Sequence, residues 1–276
     1  LIVYGVTINE SISKLFMAGV LPGLVLAGLF MGYIAVWSFV RRNEVPPKEA
    51  RMSFVEKLYN SRFLIPVILL IALVIGSIYT GVATATESAA FGVIGALVLA
   101  MLQGSLTKDT FIASLMGATR TSCMIALILA GAAFLALAMG FTGLPATVAE
   151  YIGSLELSPL TLIFALMCFY IIVGMFLDGI SSVVLTMAVV EPMIRQAGID
   201  LLWFGIFIVV VVEMAQITPP IGFNLFVMQG MTKKPIGYIA KTAFPMFLLM
   251  VVMVGILVMF PDLATYLPEN MKQTPG

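Results

Sequence analysis

The stretch QITPPIGFN, residues 216–224, lies inside a long apolar segment that otherwise has the composition of a membrane-spanning helix. Pro219 and Pro220 have no backbone N–H groups, and their rings clash with preceding carbonyl groups, so the helix must open here. In lipid, open backbone is tolerated only where protein buries it or where it lines a wet cavity. The stretch therefore predicts a discontinuous helix over about 201–230.

The composition of the chain indicates an all-α polytopic membrane protein. Of its 276 residues, 61% are hydrophobic and only 10% are charged, and the mean hydropathy is +1.13. These values lie far from those of soluble domains, so the surrounding solvent is the lipid bilayer. The net charge is zero, which argues against a nucleic-acid partner. The absence of histidine excludes Ser-His catalysis and imidazole proton relays.

The hydrophobic runs predict the membrane spans. A helix needs ~20 apolar residues to cross the hydrocarbon layer, and uncharged runs of suitable length lie at 15–40, 63–86, 88–107, 121–149, 157–177 and 242–261. The segment 179–190 is too short to cross, so we interpret residues 158–195 as a re-entrant helical hairpin. Residues 106–120 alternate polar and apolar positions at helical spacing, which predicts a helix on the membrane surface.

The positive charges predict an orientation. The loops at 41–62, 108–120 and 233–241 together hold eleven of the 14 Lys and Arg residues. A hairpin that returns to its own side places these three loops on one face of the membrane. The positive-inside rule makes that face cytoplasmic. Without a re-entrant hairpin, the order of the membrane spans would not place these three loops on the same side of the membrane.

Three carboxylates, Glu87, Asp178 and Glu213, fall within the predicted membrane region. A carboxylate at that depth is costly unless it is neutralised or bound to a partner, so each is a functional candidate. Each also has a simpler interpretation. Asp178 would cap the helix that follows it, Glu213 would hold the discontinuous helix by hydrogen bonding, and Glu87 would be a loop residue near the outer surface.

The sequence predicts a cation site where the hairpin tip meets the discontinuous helix. The tip is GMFLDGISSVV, residues 174–184, and the opened backbone at the two prolines offers carbonyl oxygens. Oxygen ligands of this kind suit a hard cation, and the lack of histidine favours Na⁺ over H⁺. We expect Na⁺ at Asp178, Thr218, Asn224 and nearby backbone carbonyls. The full set of predicted ion-binding residues is Gly174, Asp178, Thr218, Pro219, Pro220, Gly222 and Asn224.

An anionic substrate is expected beside this cation. Helix N-termini offer unpaired N–H groups to anions, and no arginine lies at membrane depth to bind a carboxylate. The predicted substrate-binding residues are Gly179, Ser181 and Ser182, at the start of the second hairpin helix.

Residues 224–245 loosely repeat the pattern of residues 1–22. Both have an apolar stretch, a polar turn, a short amphipathic piece and then a proline before a long apolar span. The first turn, at Asn9, would lie outside the membrane, and the second turn, at Lys233, would lie inside. This opposite sidedness is what an inverted repeat predicts.

These motifs together resemble the large membrane (M) subunit of the tripartite ATP-independent periplasmic (TRAP) transporters. The resemblance is carried by LIVYG at 1–5, LFMAGVLPG at 15–23, TATESAAFGV at 84–93, GMFLDGISSVV at 174–184 and ITPPIGFNLFV at 217–227. It implies an elevator-type, Na⁺-coupled importer of organic acids, such as a dicarboxylate or sialic acid. The implied location is the bacterial inner membrane, the implied partners are a periplasmic substrate-binding protein and a small membrane (Q) subunit, and no organic cofactor is implied.

The resemblance also implies a division of the chain. Residues 1–120 would be mainly scaffold spans with an arm helix at about 106–120, and residues 121–232 would be mainly transport-domain elements. Residues 233–276 would form the last scaffold span and a periplasmic tail. The family's first hairpin and first discontinuous helix are not in this sequence. We therefore expect the chain to be the later part of a large subunit whose first half supplies a second Na⁺ site and much of the substrate pocket.

Three other interpretations remain open at this point. An intramembrane protease would need a catalytic Ser-Lys or Ser-His pair, an HExxH motif or two facing aspartates, and the sequence offers none of these. An assembly or scaffold subunit would have no ion site of its own. A binding-protein-independent elevator carrier of the divalent-anion/sodium symporter type would take up its substrate without a soluble partner.

Overall fold

The computed structural model describes residues 1–41, 53, 56, 61, 64–155 and 157–271. These residues form helices and no strands. The helices are α1 Ile2–Ile8, α2 Ile12–Val40, α3 Ile65–Tyr79, α4 Ala85–Leu102, α5 Lys108–Thr142, α6 Leu144–Ser154, α7 Pro159–Gly174, α8 Gly179–Gln196, α9 Leu201–Gln216, α10 Phe223–Thr232, α11 Ile236–Met259 and α12 Asp262–Asn270.

Within the described residues, four helices are long and apolar enough to cross a membrane: α2, α4, α5 and α11. The apolar helices α3, α7 and α9 are shorter, at 15 or 16 residues. This arrangement fits a polytopic membrane protein, as the composition predicted. Six of the charges used for orientation, Arg42, Lys48, Arg51, Lys57, Arg62 and Lys272, lie outside the described residues. The orientation therefore stays a prediction.

The predicted boundary between a surface helix at 106–120 and a span at 121–149 is wrong. Residues Lys108–Thr142 form one continuous helix, α5. No proline lies near residue 120, and Gly117 and the Thr and Arg side chains that follow it are accommodated within the helix. The chain breaks instead at Gly143, which has a φ of 68°, and α6 begins at the next residue. A role of the first half of α5 as an arm stays a prediction.

The chain divides into two compact units. The first contains Leu1–Phe30 and Thr121–Glu269, and the second contains Met31–Arg120 with Asn270–Gly276. In the second unit, α3 packs against α4, and the hydroxyls of Ser77 and Ser88 lie 2.8 Å apart in a hydrogen bond. The assignment of residues to a scaffold and a transport domain stays a prediction.

Helix α9 forms the centre of the first unit. Twelve of its 16 residues are buried, and α7, α8, α10 and α11 all pack against it. Asp200 caps its first turn by accepting a hydrogen bond of 2.7 Å from the Trp203 amide. Two long-range bonds hold the same end: the Tyr4 hydroxyl donates to the Leu201 carbonyl at 2.8 Å, and the Trp203 indole donates to the Leu257 carbonyl at 3.0 Å.

The two segments that echo each other in sequence have matching local structures. Helices α1 and α10 both end in a residue in the left-handed conformation, Asn9 with a φ of 57° and Lys233 with a φ of 58°. No other described residue except glycine has a positive φ. In both segments the next helix begins three residues later, at Ile12 and at Ile236. Each of these helices contains an internal proline, Pro22 or Pro245.

Candidate ion and substrate site

The helix breaks at the two prolines, as the sequence predicted. Helix α9 ends at Gln216 and α10 begins at Phe223, so residues 217–222 between them are not helical. The peptide bond between Pro219 and Pro220 is cis. The Thr218 hydroxyl donates a hydrogen bond of 2.6 Å to the Met214 carbonyl, one turn earlier. Gly222 is buried and has a φ of 48°, a conformation that favours glycine.

The predicted hairpin consists of α7 and α8, joined by residues 175–178. Asp178 is the N-cap of α8, and its Oδ2 atom accepts hydrogen bonds from the amides of Ile180 at 3.0 Å and Ser181 at 3.1 Å. Further along, the hydroxyls of Tyr170 on α7 and Thr186 on α8 lie 2.6 Å apart. Because Thr186 donates its proton to the Ser182 carbonyl at 2.7 Å, the Tyr170 hydroxyl donates to Thr186.

The hairpin tip and the helix break are in direct contact. The amide of Gly222 donates a hydrogen bond of 3.1 Å to the carbonyl of Met175. Gly174 lies so close to α9 that a Cβ atom there would be 2.6 Å from the Cβ of Ala215. A Cβ atom on Gly179 would overlap the Gln216 carboxamide and would lie 2.9 Å from Val212. Both glycines therefore lie where α9 approaches closely, and at Gly174 the Cβ of Ala215 leaves no space for a side chain.

Glu213 and Asn224 join the two sides of the break. The Asn224 side-chain amide donates a hydrogen bond of 3.4 Å to Oε2 of Glu213, which links the last turn of α9 to the first turn of α10. The remaining oxygen of the Asn224 amide is the atom that would bind a cation. This is the hydrogen bond expected if Glu213 holds the two parts of the discontinuous helix together.

A cavity of about 890 Å³ lies beside the tip and the break. Its wall is largely apolar, and its polar side chains are those of Tyr4, Asp178, Glu213 and Gln216. No Lys or Arg is among the described residues that line it. The complete lining is Leu1, Ile2, Val3, Tyr4, Phe16, Met124, Ile125, Ile128, Asp178, Gly179, Ile180, Val183, Ile208, Val209, Val212, Glu213, Gln216 and Phe223.

The structure brings some of the predicted site residues together and separates others. Gly174, Gly179 and Gly222 meet where the tip contacts the break, and Asp178 lines the same cavity as Gly179 and Gln216. The break also contains Thr218, Pro219 and Pro220, and Asn224 follows it at the start of α10. Of these predicted residues, Asp178 and Gly179 line the cavity. Outside its lining lie Gly174, Ser181, Ser182, Thr218, Pro219, Pro220, Gly222 and Asn224. The Ser182 hydroxyl is fully buried without a hydrogen-bond partner, on the side of α8 that faces Gly174.

Glu87 belongs to the second unit and caps a helix. Its Oε2 atom accepts hydrogen bonds from the Thr84 amide at 2.8 Å and from the Thr84 hydroxyl at 2.9 Å. The Glu87 amide in turn donates to the Thr84 hydroxyl oxygen, which completes a capping box at the start of α4. The carboxylate is exposed.

The sequence analysis missed Gln216. This residue lines the cavity beside Asp178 and Glu213, and its side chain lies against the first residue of α8. The sequence analysis selected intramembrane residues by their charge, and the glutamine side chain is neutral. The signal that could have identified it is a glutamine directly before the Ile-Thr-Pro-Pro break in an otherwise apolar helix.

The oxygen atoms at the tip and the break fit a hard monovalent or divalent cation better than a transition metal. They comprise a carboxylate, a hydroxyl, a side-chain amide and main-chain carbonyls, and nitrogen and sulfur ligands are not among them. Among the described residues, no group of three or more His, Cys, Asp or Glu side chains could hold a metal ion. Any cation here would depend on neutral oxygens as well as on Asp178.

Residues 1–263 match the protein family described as the tripartite ATP-independent periplasmic transporter, DctM component. The chain is 32% identical over 272 residues to the ectoine/5-hydroxyectoine TRAP transporter large permease protein UehC of Ruegeria pomeroyi, covering 98% of the chain and 62% of that relative. It is 29% identical over 270 residues to the C4-dicarboxylate TRAP transporter large permease protein DctM of Pseudomonas aeruginosa, with coverages of 98% and 62%.

A third relative is the 2,3-diketo-L-gulonate TRAP transporter large permease protein YiaN of Escherichia coli. It is 30% identical over 269 residues, which cover 95% of the chain and 61% of the relative. The chain thus spans about three fifths of the length of these relatives. All three are named as permeases and not as enzymes.

Proposed function

The chain belongs to the DctM-component family of the tripartite ATP-independent periplasmic transporters, and from this premise we propose that it takes part in Na⁺-coupled import of an organic acid. The family is one of transport proteins and not of enzymes. The observation that carries the proposal is the contact between the hairpin tip and the helix break, where the Gly222 amide binds the Met175 carbonyl beside a cavity of about 890 Å³.

The charges of the cavity support coupling to a cation. Asp178 and Glu213 line it, and no basic side chain of the described residues does. An organic anion that enters this space meets two acidic groups at close range, and unlike charges are needed to offset that repulsion. A Na⁺ ion at Asp178, Thr218 and Asn224 would supply the positive charge. Binding of the anion would then depend on prior or simultaneous binding of Na⁺.

The paired left-handed turns support an inverted repeat. Asn9 and Lys233 end helices of similar context, and the next helix starts at the same distance from each. In the proposed arrangement the two copies are inserted with opposite orientation, so that two discontinuous helices meet near the middle of the membrane. An elevator mechanism would move these helices together with the hairpin against a scaffold.

We further propose the partners of the site. A soluble periplasmic substrate-binding protein would deliver the acid, and a small membrane (Q) subunit would pack against this one in the bacterial inner membrane. We also propose that a first half of the large subunit, containing a first hairpin and a first discontinuous helix, would complete the substrate pocket. The three relatives carry names with chemically different substrates, so the acid itself is to be found by experiment.

Uptake into proteoliposomes tests the proposal. The complete membrane complex would be reconstituted, and succinate, 2,3-diketogulonate and ectoine would be offered with and without the binding protein. We expect at least one of them to accumulate only when an inward Na⁺ gradient and the binding protein are both present. Accumulation that persists when choline replaces Na⁺ would contradict Na⁺ coupling, and accumulation without the binding protein would contradict the tripartite mechanism.

A further inference from the structure

Among the described residues that line the cavity, Gln216 is the polar residue whose side chain makes no hydrogen bond. Asp178 caps α8, Glu213 accepts from Asn224, and the Tyr4 hydroxyl donates to the Leu201 carbonyl. The Gln216 carboxamide lines the same space and has no hydrogen bond within the described part of the chain. Its two N–H donors and its oxygen are available to a bound molecule.

The absence of a side chain at Gly179 determines where this carboxamide lies. A Cβ atom on Gly179 would overlap the Gln216 Nε2 atom. Val212, one turn earlier on α9, would lie 2.9 Å from the same Cβ atom. The glutamine is thereby held at the junction of α9 and the start of α8. Gly179, which the sequence predicted as a substrate ligand, makes room for the group that faces the substrate.

We propose that Gln216 is a specificity-determining residue that binds the organic acid directly, with its Nε2 group donating to a carboxylate oxygen of the acid. This inference rests on the proposed function and names a contact within its site. A neutral donor is suited to the position because the cavity has two acidic groups and no basic side chain among its described lining residues. Its hydrogen bond to the anion is charge-assisted, which makes it stronger than a bond between neutral groups.

The test is equilibrium binding to the purified membrane complex, without the binding protein, at saturating Na⁺. The probe is whichever radiolabelled acid of the uptake panel accumulates in the wild type. Gln216→Met keeps the length of the side chain and removes the hydrogen bonds. We expect the dissociation constant for the acid to rise roughly ten- to a hundredfold, the loss typical of a hydrogen bond to a charged group. When the acid is kept well below its dissociation constant in each protein, the Na⁺ concentration for half-maximal binding should stay unchanged, because the coupled acid then does not shift it.

Gly179→Ala provides a second variant that leaves Gln216 in place. Its methyl group would displace the carboxamide, so we expect the same loss of affinity for the acid. Because both changes remove one contact, the double variant Gly179→Ala/Gln216→Met should bind no more weakly than either single variant. Gln229→Met is the matched control, since Gln229 lies on α10 and does not line the cavity. Its affinity for the acid should equal that of the wild type.

Two results would overturn the inference while leaving the proposed function intact. One is an unchanged affinity for the acid in Gln216→Met. The other is a parallel loss of acid and Na⁺ affinity in both variants, which would indicate a damaged tip and not a lost substrate contact. A wild-type complex without Na⁺-dependent uptake would instead contradict the proposed function itself.

Discussion

At the scale of single residues, Asp178 uses one carboxylate in two ways. Its Oδ2 atom caps α8 through the amides of Ile180 and Ser181, and the side chain also lines the cavity. Asparagine is as good an N-cap as aspartate but has no negative charge. A substitution to asparagine therefore separates the capping role from the role in binding a cation.

We predict that Asp178→Asn leaves the complex folded and weakens Na⁺ binding. The Na⁺ concentration for half-maximal acid binding should rise roughly tenfold or more, since a lost contact between opposite charges in a partly buried site costs at least that. Asp200→Asn is the matched control, because Asp200 caps α9 in the same way and does not line the cavity. An unchanged Na⁺ dependence in Asp178→Asn would favour a subunit whose hairpin has no ion site.

Some site residues could be recognised from the sequence alone and others could not. The proline pair identified the break, and the glycines on either side of Asp178 identified the tip, because proline and glycine act on the backbone itself. Glu87 was selected for its charge and caps a helix, which the local Thr84–Glu87 spacing would have indicated. Gln216 was missed because its importance comes from Gly179, a neighbour that is distant in sequence and close in space.

At the scale of structural elements, the hairpin and α9 depend on one close approach. Gly174 ends α7 at the point where Ala215 of α9 leaves no space for a further methyl group. Ser182 lies on the far side of the same contact. Overpacking of such a site forces side chains or backbone to shift, typically at a cost of about 1–3 kcal/mol.

We predict that Gly174→Ala lowers the stability of the complex by about 1–3 kcal/mol and weakens Na⁺ binding, because the tip moves away from the break. Thermal unfolding in detergent and the Na⁺ dependence of acid binding are the measurements. Gly28→Ala is the matched control: Gly28 is also helical, and nothing lies within 4 Å of its added Cβ. Equal melting temperatures for the two variants would contradict the packing account.

The elements themselves were predictable to different degrees. The two hairpin helices and the discontinuous helix lie close to their predicted positions because glycine and proline residues mark where these helices are interrupted. The helix at Lys108–Thr142 was divided wrongly, since a change from amphipathic to apolar sequence was taken as a boundary. The change in composition near residue 120 does not interrupt this helix, which ends one residue before Gly143, a glycine with a positive φ.

At the scale of the whole molecule, the repeat leads to a prediction about sidedness. The left-handed turns at Asn9 and Lys233 are both exposed, so a cysteine at either position can be labelled. In a background with Cys123 and Cys168 replaced by alanine, we expect Asn9→Cys to react with a membrane-impermeant maleimide from the periplasmic side only. Lys233→Cys should react from the cytoplasmic side only. Labelling of both from one side would exclude an inverted repeat.

The central claim is that the opened backbone at Pro219 and Pro220 and the hairpin tip at Asp178 together hold a Na⁺ ion. The most direct measurement is a pair of high-resolution cryo-EM maps of the complete complex, one in NaCl and one in choline chloride. We predict ion density in NaCl alone, surrounded by oxygens of Asp178, Thr218, Asn224 and adjacent main-chain carbonyls. Residues 214–228 appearing as one unbroken helix, or a tip and break in contact with no ion density in NaCl, would contradict the claim.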